Sequence, residues 1–126
     1  MSDRKRVLVA AAGKRNLELL QRFLGQEGFE TVPAGSLANI RLVLDQTPSI
    51  DIAVFDVSGF SSEVWAFCDK LRERIVPFVV ISAARSAGVE SRAARTGARV
   101  VMTKPLVVRN LIQVLHAMLV PSCKSP

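Results

Sequence analysis

Residues 49–59, SIDIAVFDVSG, constrain this chain more than any other stretch. Ile52, Ala53, Val54 and Phe55 form a short unbroken apolar run, bracketed by Asp51 and Asp56, and Ser58-Gly59 supply a turn just beyond. Such a run fits a strand covered on both faces, at the centre of a parallel sheet. Asp56 then falls at the carboxyl end of that strand, where open α/β sheets gather their functional groups. The functional question is what Asp56 does there.

The flanking sequence supplies the rest of such a sheet. Residues 7–11 form another buried-strand candidate, with the apolar run continuing to Ala12 and turned by Gly13. A helix follows to about Gly25, with Leu17, Leu20, Phe23 and Leu24 at helical spacing. Residues 30–34 alternate in polarity and hold Pro33, which suits a strand near an edge. Ser36 is a good N-cap for a helix burying Leu37, Ile40, Val43 and Leu44, broken by Thr47-Pro48-Ser49. Beyond the organising strand, a helix over about 62–74 buries Val64, Phe67, Cys68 and Leu71, with Trp65 on its margin or at a contact surface. Residues 78–81 are a buried strand ending at Ser82. Residues 86–96 predict a weak helix, short of large apolar residues and so expected to be mobile, closed by Gly97. Residues 100–103 make a fifth strand, followed by Lys104-Pro105. A last helix over about 107–119 carries Val108, Leu111, Ile112, Leu115 and Met118, and Pro121 stops it. Strands and helices alternate five times. That predicts one α/β domain over residues 1–126, a doubly wound parallel sheet with helices on both faces.

Bulk properties exclude several classes. At 126 residues the chain suffices for one domain with a real core, and its 49% apolar share argues against disorder. No apolar run approaches a membrane span, and the segment after the basic residues 4–6 is too short for a signal peptide, so a cytoplasmic location is expected. Cys68 and Cys123 have no thiol or histidine partners at ligand spacing, and His116 is the sole histidine. A zinc site or a histidine-based triad is therefore not expected. The net charge of +6 is lopsided: residues 1–74 balance, whereas 75–126 hold seven basic side chains against Glu90 alone. A solvated basic face explains this, and so does an acidic partner.

Three polar residues, Asp56, Ser82 and Lys104, fall at carboxyl ends of predicted strands, and the sheet brings them to one crevice. A carboxylate nucleophile beside a hydroxyl and an ammonium fits a phosphoryl group. The same residues fit a buried Asp56–Lys104 ion pair with a strand-end serine. Here the sequence resembles the receiver domains of two-component response regulators, over essentially its whole length. Matching pieces are Val7-Leu8-Val9, Asp56 directly after its apolar strand, Val79-Val80-Ile81-Ser82-Ala83, Thr96-Gly97-Ala98 and Thr103-Lys104-Pro105-Leu106. The resemblance implies a flavodoxin-like sheet of strand order 2-1-3-4-5. It also implies that Asp56 takes a phosphoryl group from a histidine kinase, with Ser82 and Lys104 holding the phosphoryl oxygens.

The chain departs from that pattern in three places. The family's acidic pair after the first strand holds a divalent metal, and the matching residues are Ala11 and Ala12. Alanine offers no ligand to Mg²⁺. The family's site sums to a net −2, whereas Asp56 and Lys104 alone sum to zero. No cofactor is expected, with Mg²⁺ binding absent or weak, and phosphoryl transfer without its metal is severely slowed. Lys14 or Arg15 reaching the crevice is the alternative. The second departure is Val101, where the family has a switching aromatic residue; valine is too short and stiff for that swing. The third is Gly59-Phe60 after the acceptor strand, where the family often has Met-Pro.

The expectation is thus an atypical, stand-alone receiver acting by protein–protein contact, with Asp56 normally unphosphorylated. With no effector segment after Pro126, output is expected through a protein partner, a histidine kinase or a downstream regulator. By resemblance, homodimerisation or docking uses the fourth helix, fifth strand and fifth helix, where Arg92, Arg95, Arg99 and Arg109 concentrate charge. A genuine phosphoacceptor receiver is the first alternative. A nucleic-acid module is the second, disfavoured because no helix-turn-helix signal and no interleaved aromatics appear. Catalysis on a small molecule is disfavoured too, since no acid/base pair or phosphate-binding loop is present.

Overall fold

Every strand among the described residues is four to six residues long, and each lies parallel to its neighbours. The computed structural model describes residues 4–46, 49–83 and 87–119. In chain order the elements are β1 (Arg6–Ala11), α1 (Lys14–Gln26), β2 (Glu30–Ala34), α2 (Leu37–Gln46), β3 (Ile52–Asp56), α3 (Val64–Glu73), β4 (Phe78–Ser82), α4 (Ala87–Thr96), β5 (Val100–Thr103) and α5 (Val108–Leu119). The sheet order is β2-β1-β3-β4-β5, as expected from the sequence. Pro33 lies in β2, an edge strand, where a missing N–H costs no ladder bond on the open side. Asn39 N donates to Ser36 Oγ at 3.1 Å, the cap expected for α2. Thr47, Pro48, Ser86, Pro121 and Cys123 lie outside the described residues.

β3 and β4 are buried at every position, which explains their unbroken apolar runs. Side chains alternate across the sheet and build two cores. Ala53 and Phe55 join Leu8, Phe78, Val80 and the buried faces of α2 and α3. Ile52 and Val54 join Val7, Val9 and Val79 under α1 and α5, through Leu20, Leu24, Leu111 and Leu115. Asp56 continues the second alternation and so faces the α1/α5 side.

Helix ends differ more from expectation. Ile75 follows α3 at φ 60 and is 88% exposed, a conformation that glycine normally takes. Its N–H donates to Arg72 O at 3.0 Å, and Val76 N donates to Leu71 O at 2.9 Å, so the αL residue closes the helix. Gly97 closes α4 at φ 91, with the Arg72 side chain lying against it and Arg72 Nη1 donating to Arg95 O at 2.8 Å. Among the described residues no helix is long and apolar enough to cross a membrane.

Candidate functional site

Register carries the chemistry to one end of the sheet. Ala11 is the strand partner of Asp56, Asp56 of Ile81, and Ser82 of Thr103. Ser82 therefore lies one residue beyond the position opposite Asp56. Lys104 follows Thr103, and its N–H donates to Ser82 O at 3.0 Å, which fixes the start of the β5–α5 connection. The Lys104–Pro105 peptide is cis.

Asp56 is 2% exposed, and both of its oxygens are occupied. Lys104 Nζ lies 2.8 Å from Oδ2, and Asn16 Nδ2 donates to the same oxygen at 2.5 Å. Ser58 N donates to Oδ1 at 3.1 Å, an aspartate turn onto the following loop. A buried carboxylate needs partners of this kind, because desolvating it unpaired is costly. Charge balances within the group: one carboxylate, one ammonium and one neutral carboxamide. Lys104 itself remains one-third exposed, at 34% of its side chain.

Asn16 was not singled out from the sequence, although a signal existed. Counting from Asn16, the lining residues Leu19, Leu20 and Phe23 sit at i+3, i+4 and i+7, so the carboxamide extends one helical stripe. Lys14 and Arg15, the basic residues weighed for the crevice, are exposed, and it is their neighbour Asn16 that contacts Asp56. Ala11 is wholly buried and Ala12 exposed. A Cβ on Gly59, at φ 86, would lie 3.2 Å from the Ala12 Cβ, so the loop after β3 closes tightly over the end of β1.

Set against a divalent cation, this donor set fits poorly. Asp56 is the sole carboxylate of the group described, its neighbours along β1 are alanines, and the site already sums to zero charge. Among the described residues no cluster of three or more His, Cys, Asp or Glu side chains could hold a metal.

The other sequence candidates spread over the molecule. Val101, Phe60 and Trp65 are half-buried and pack on the α2/α3 core. Arg92, Arg95, Arg99 and Arg109 are all exposed, with Arg95 Nη2 donating to Ser91 Oγ at 3.3 Å. His116 stacks on Phe29, ring centroids 5.3 Å apart. Cys68 is buried, and desolvation, followed by the nearby Asp69 charge, pushes its thiol up to about 12. Beside Asp56 a cleft of about 380 Å³ opens between α1 and the β5–α5 connection. Asn16, Leu19, Leu20 and Phe23 form one wall; Lys104, Pro105, Leu106 and Val108 form the other.

Comparison with known proteins agrees with this architecture. No family model matches the chain. A heme response regulator, HssR of Staphylococcus saprophyticus, is 29% identical over 104 residues, which are 82% of this chain and 46% of that protein. The chain thus spans about half the length of the curated relative it matches. A CheY-like response regulator receiver domain from Methanospirillum hungatei superposes with a TM-score of 0.82 at 20% identity, covering 93% of this chain and 94% of that one. An orphan response regulator of H. pylori gives a TM-score of 0.79 at 19% identity, covering 94% and 99%. The fold is that of these receiver domains.

Proposed function

We propose that the protein is a receiver-type module of two-component signalling that works through protein–protein contact and depends little on phosphorylation. The observation that carries this reading is the closed, charge-neutral hydrogen bonding of Asp56. Lys104, Asn16 and Ser58 N together occupy both carboxylate oxygens. In a metal-dependent receiver an incoming cation would neutralise a site left anionic; here the Lys104 ammonium already balances Asp56, and the Asn16 carboxamide adds a hydrogen bond to it. With Ala11 and Ala12 at the end of β1, Mg²⁺ would gain one carboxylate and displace an existing ion pair.

The test is to incubate the full chain with acetyl phosphate and Mg²⁺ and to weigh it intact. The expected result is unmodified protein over many minutes; prompt stoichiometric phosphorylation of Asp56 refutes the reading. That outcome would favour the second reading, a phosphoacceptor served by a histidine kinase. It draws support from Ser82 and Lys104, which sit at adjacent strand ends next to the carboxylate.

Partner contact is assigned to α4, β5 and the start of α5, where Arg92, Arg95, Arg99 and Arg109 present four exposed cations. Such a surface steers an acidic partner or positions a second copy. Reversing Arg92 and Arg99 to Glu should weaken that association and flatten its salt dependence. Unchanged association would remove this face from the reading.

A further inference from the structure

We propose that the cleft beside Asp56 binds a small monocarboxylate bearing an apolar chain or ring, anchored by Lys104. Its volume of about 380 Å³ falls in the range that takes a small organic ligand. Leu19, Phe23, Leu106 and Val108 give it apolar walls, and the polar groups gather at one end. That arrangement sorts ligands by having a head and a tail.

The charge of the head follows from exposure. Asp56 is 2% exposed, and its Oδ2 already takes both Lys104 and Asn16, so the buried carboxylate presents little surface to a cationic head. Lys104 is 34% exposed, and an ammonium carries three N–H donors. Among the described residues Asp56 is its one ion-pair partner, so donors remain for an anion at the cleft mouth. A monoanion finds one available cation. A dianion such as a phosphate monoester would bring two charges up to the Asp56 carboxylate, against a single ammonium. The carboxylate is therefore favoured over a phosphate, and over an alcohol or an amine.

Binding has a consequence inside the site. An anion on Lys104 competes with Asp56 for the ammonium and loosens the bond at Oδ2. Ser58 N, which donates to Oδ1, reports that change from outside the cleft. This device concerns occupancy of the cleft and does not rest on whether Asp56 accepts a phosphoryl group.

The test titrates the ¹⁵N-labelled full chain with octanoate, octanol and octyltrimethylammonium. Octanoate should produce saturable amide shifts at Asn16, Leu19, Leu106 and Val108, and a smaller one at Ser58. Octanol should bind about tenfold more weakly, the low end of what one charged hydrogen bond contributes. Lys104→Met should bring octanoate down to the level of octanol. Leu19 is half-exposed, so Leu19→Glu should fold normally, as its urea midpoint checks, and should repel octanoate. Several results overturn the proposal. They are equal binding of octanoate and either of the other probes, shifts scattered over the surface without saturation, or octanoate binding untouched by both substitutions. Phosphorylation of Asp56 in the acetyl phosphate experiment would leave this proposal standing. A failure to bind octanoate would equally leave the reading of Asp56 intact.

Discussion

A double-mutant cycle across Asp56 and Lys104 measures how much of the fold rests on their pair. At 2.8 Å, unit charges in an effective dielectric of about 20 attract by roughly 6 kcal/mol before any desolvation is subtracted. The net value lies far lower. Breaking a fully buried pair by removing one partner costs about 3–5 kcal/mol, whereas an exposed pair is worth about 0–1 kcal/mol. This pair sits between those limits, since Asp56 is 2% and Lys104 34% exposed. Lys104→Met leaves the carboxylate with Asn16, Ser58 N and whatever water enters, so its cost should be about 2–3 kcal/mol. Asp56→Asn removes the charge and lets Lys104 turn to solvent, at a cost of about 1 kcal/mol. The double variant should cost little more than Asp56→Asn alone, which makes the coupling about 2–2.5 kcal/mol in magnitude. Urea unfolding followed through Trp65 fluorescence and circular dichroism, with and without Mg²⁺, provides the free energies. Costs additive to within about 0.5 kcal/mol would refute the reasoning, because sites that do not interact add to that tolerance. So would stabilisation of the wild type by Mg²⁺, which for a tenfold excess over Kd amounts to about 1.4 kcal/mol.

Other regions make separate predictions. Ile75→Gly should stabilise the fold by about 0.5–1 kcal/mol, since relief of the αL penalty outweighs the extra unfolded-state entropy of glycine. At 88% exposure little burial is lost, and an unchanged or lower urea midpoint would contradict this. Gly97→Ala should destabilise by about 1–2 kcal/mol, from its φ of 91 and a Cβ 3.1 Å from Arg72 Cδ; an unshifted unfolding midpoint would count against it. The Cys68 thiol should resist Ellman's reagent in the native state at pH 8 and react at once in urea; rapid native labelling would show that it is not buried. Its folded value of about 12 exceeds the ordinary thiol value of 9.0, so its stabilising share is complete below pH 9. That share is lost between pH 9 and 12 as the unfolded thiol ionises first, and replacing Cys68 by Ala should flatten this part of the pH profile.

Much of this was legible because strand burial leaves an unbroken apolar trace. The runs at 52–55 and 78–81 are fully buried in β3 and β4, and the polar residue closing each one sits at the strand's carboxyl end. Placement of Asp56, Ser82 and Lys104 at neighbouring strand ends followed from alternation and topology alone. Asn16 escaped because its partner is 40 residues away and an amide at a helix start is usually solvated. Phe23 belongs to the apolar stripe of α1, yet it is half-buried and lines the cleft. A helical stripe says which side faces inward, not where the neighbouring helix leaves a gap. Ile75 escaped for another reason. Nothing local forecasts a β-branched residue at φ 60, and the hydrogen bonds of Ile75 N and Val76 N hold it there.

The two cores on opposite faces of the sheet also bear on how sequences of this kind can drift. Phe55 and Phe78, rings 6.3 Å apart, belong to one layer; Leu24 and Leu115 belong to the other, and no side chain is shared. The backbone between them acts as a partition, so volume lost beneath α3 must be recovered beneath α2, α3 or α4 rather than beneath α5. The side under α2, α3 and α4 and the side under α1 and α5 can therefore accumulate compensating changes on separate schedules, each repacking within its own compartment while the strand ends stay in register.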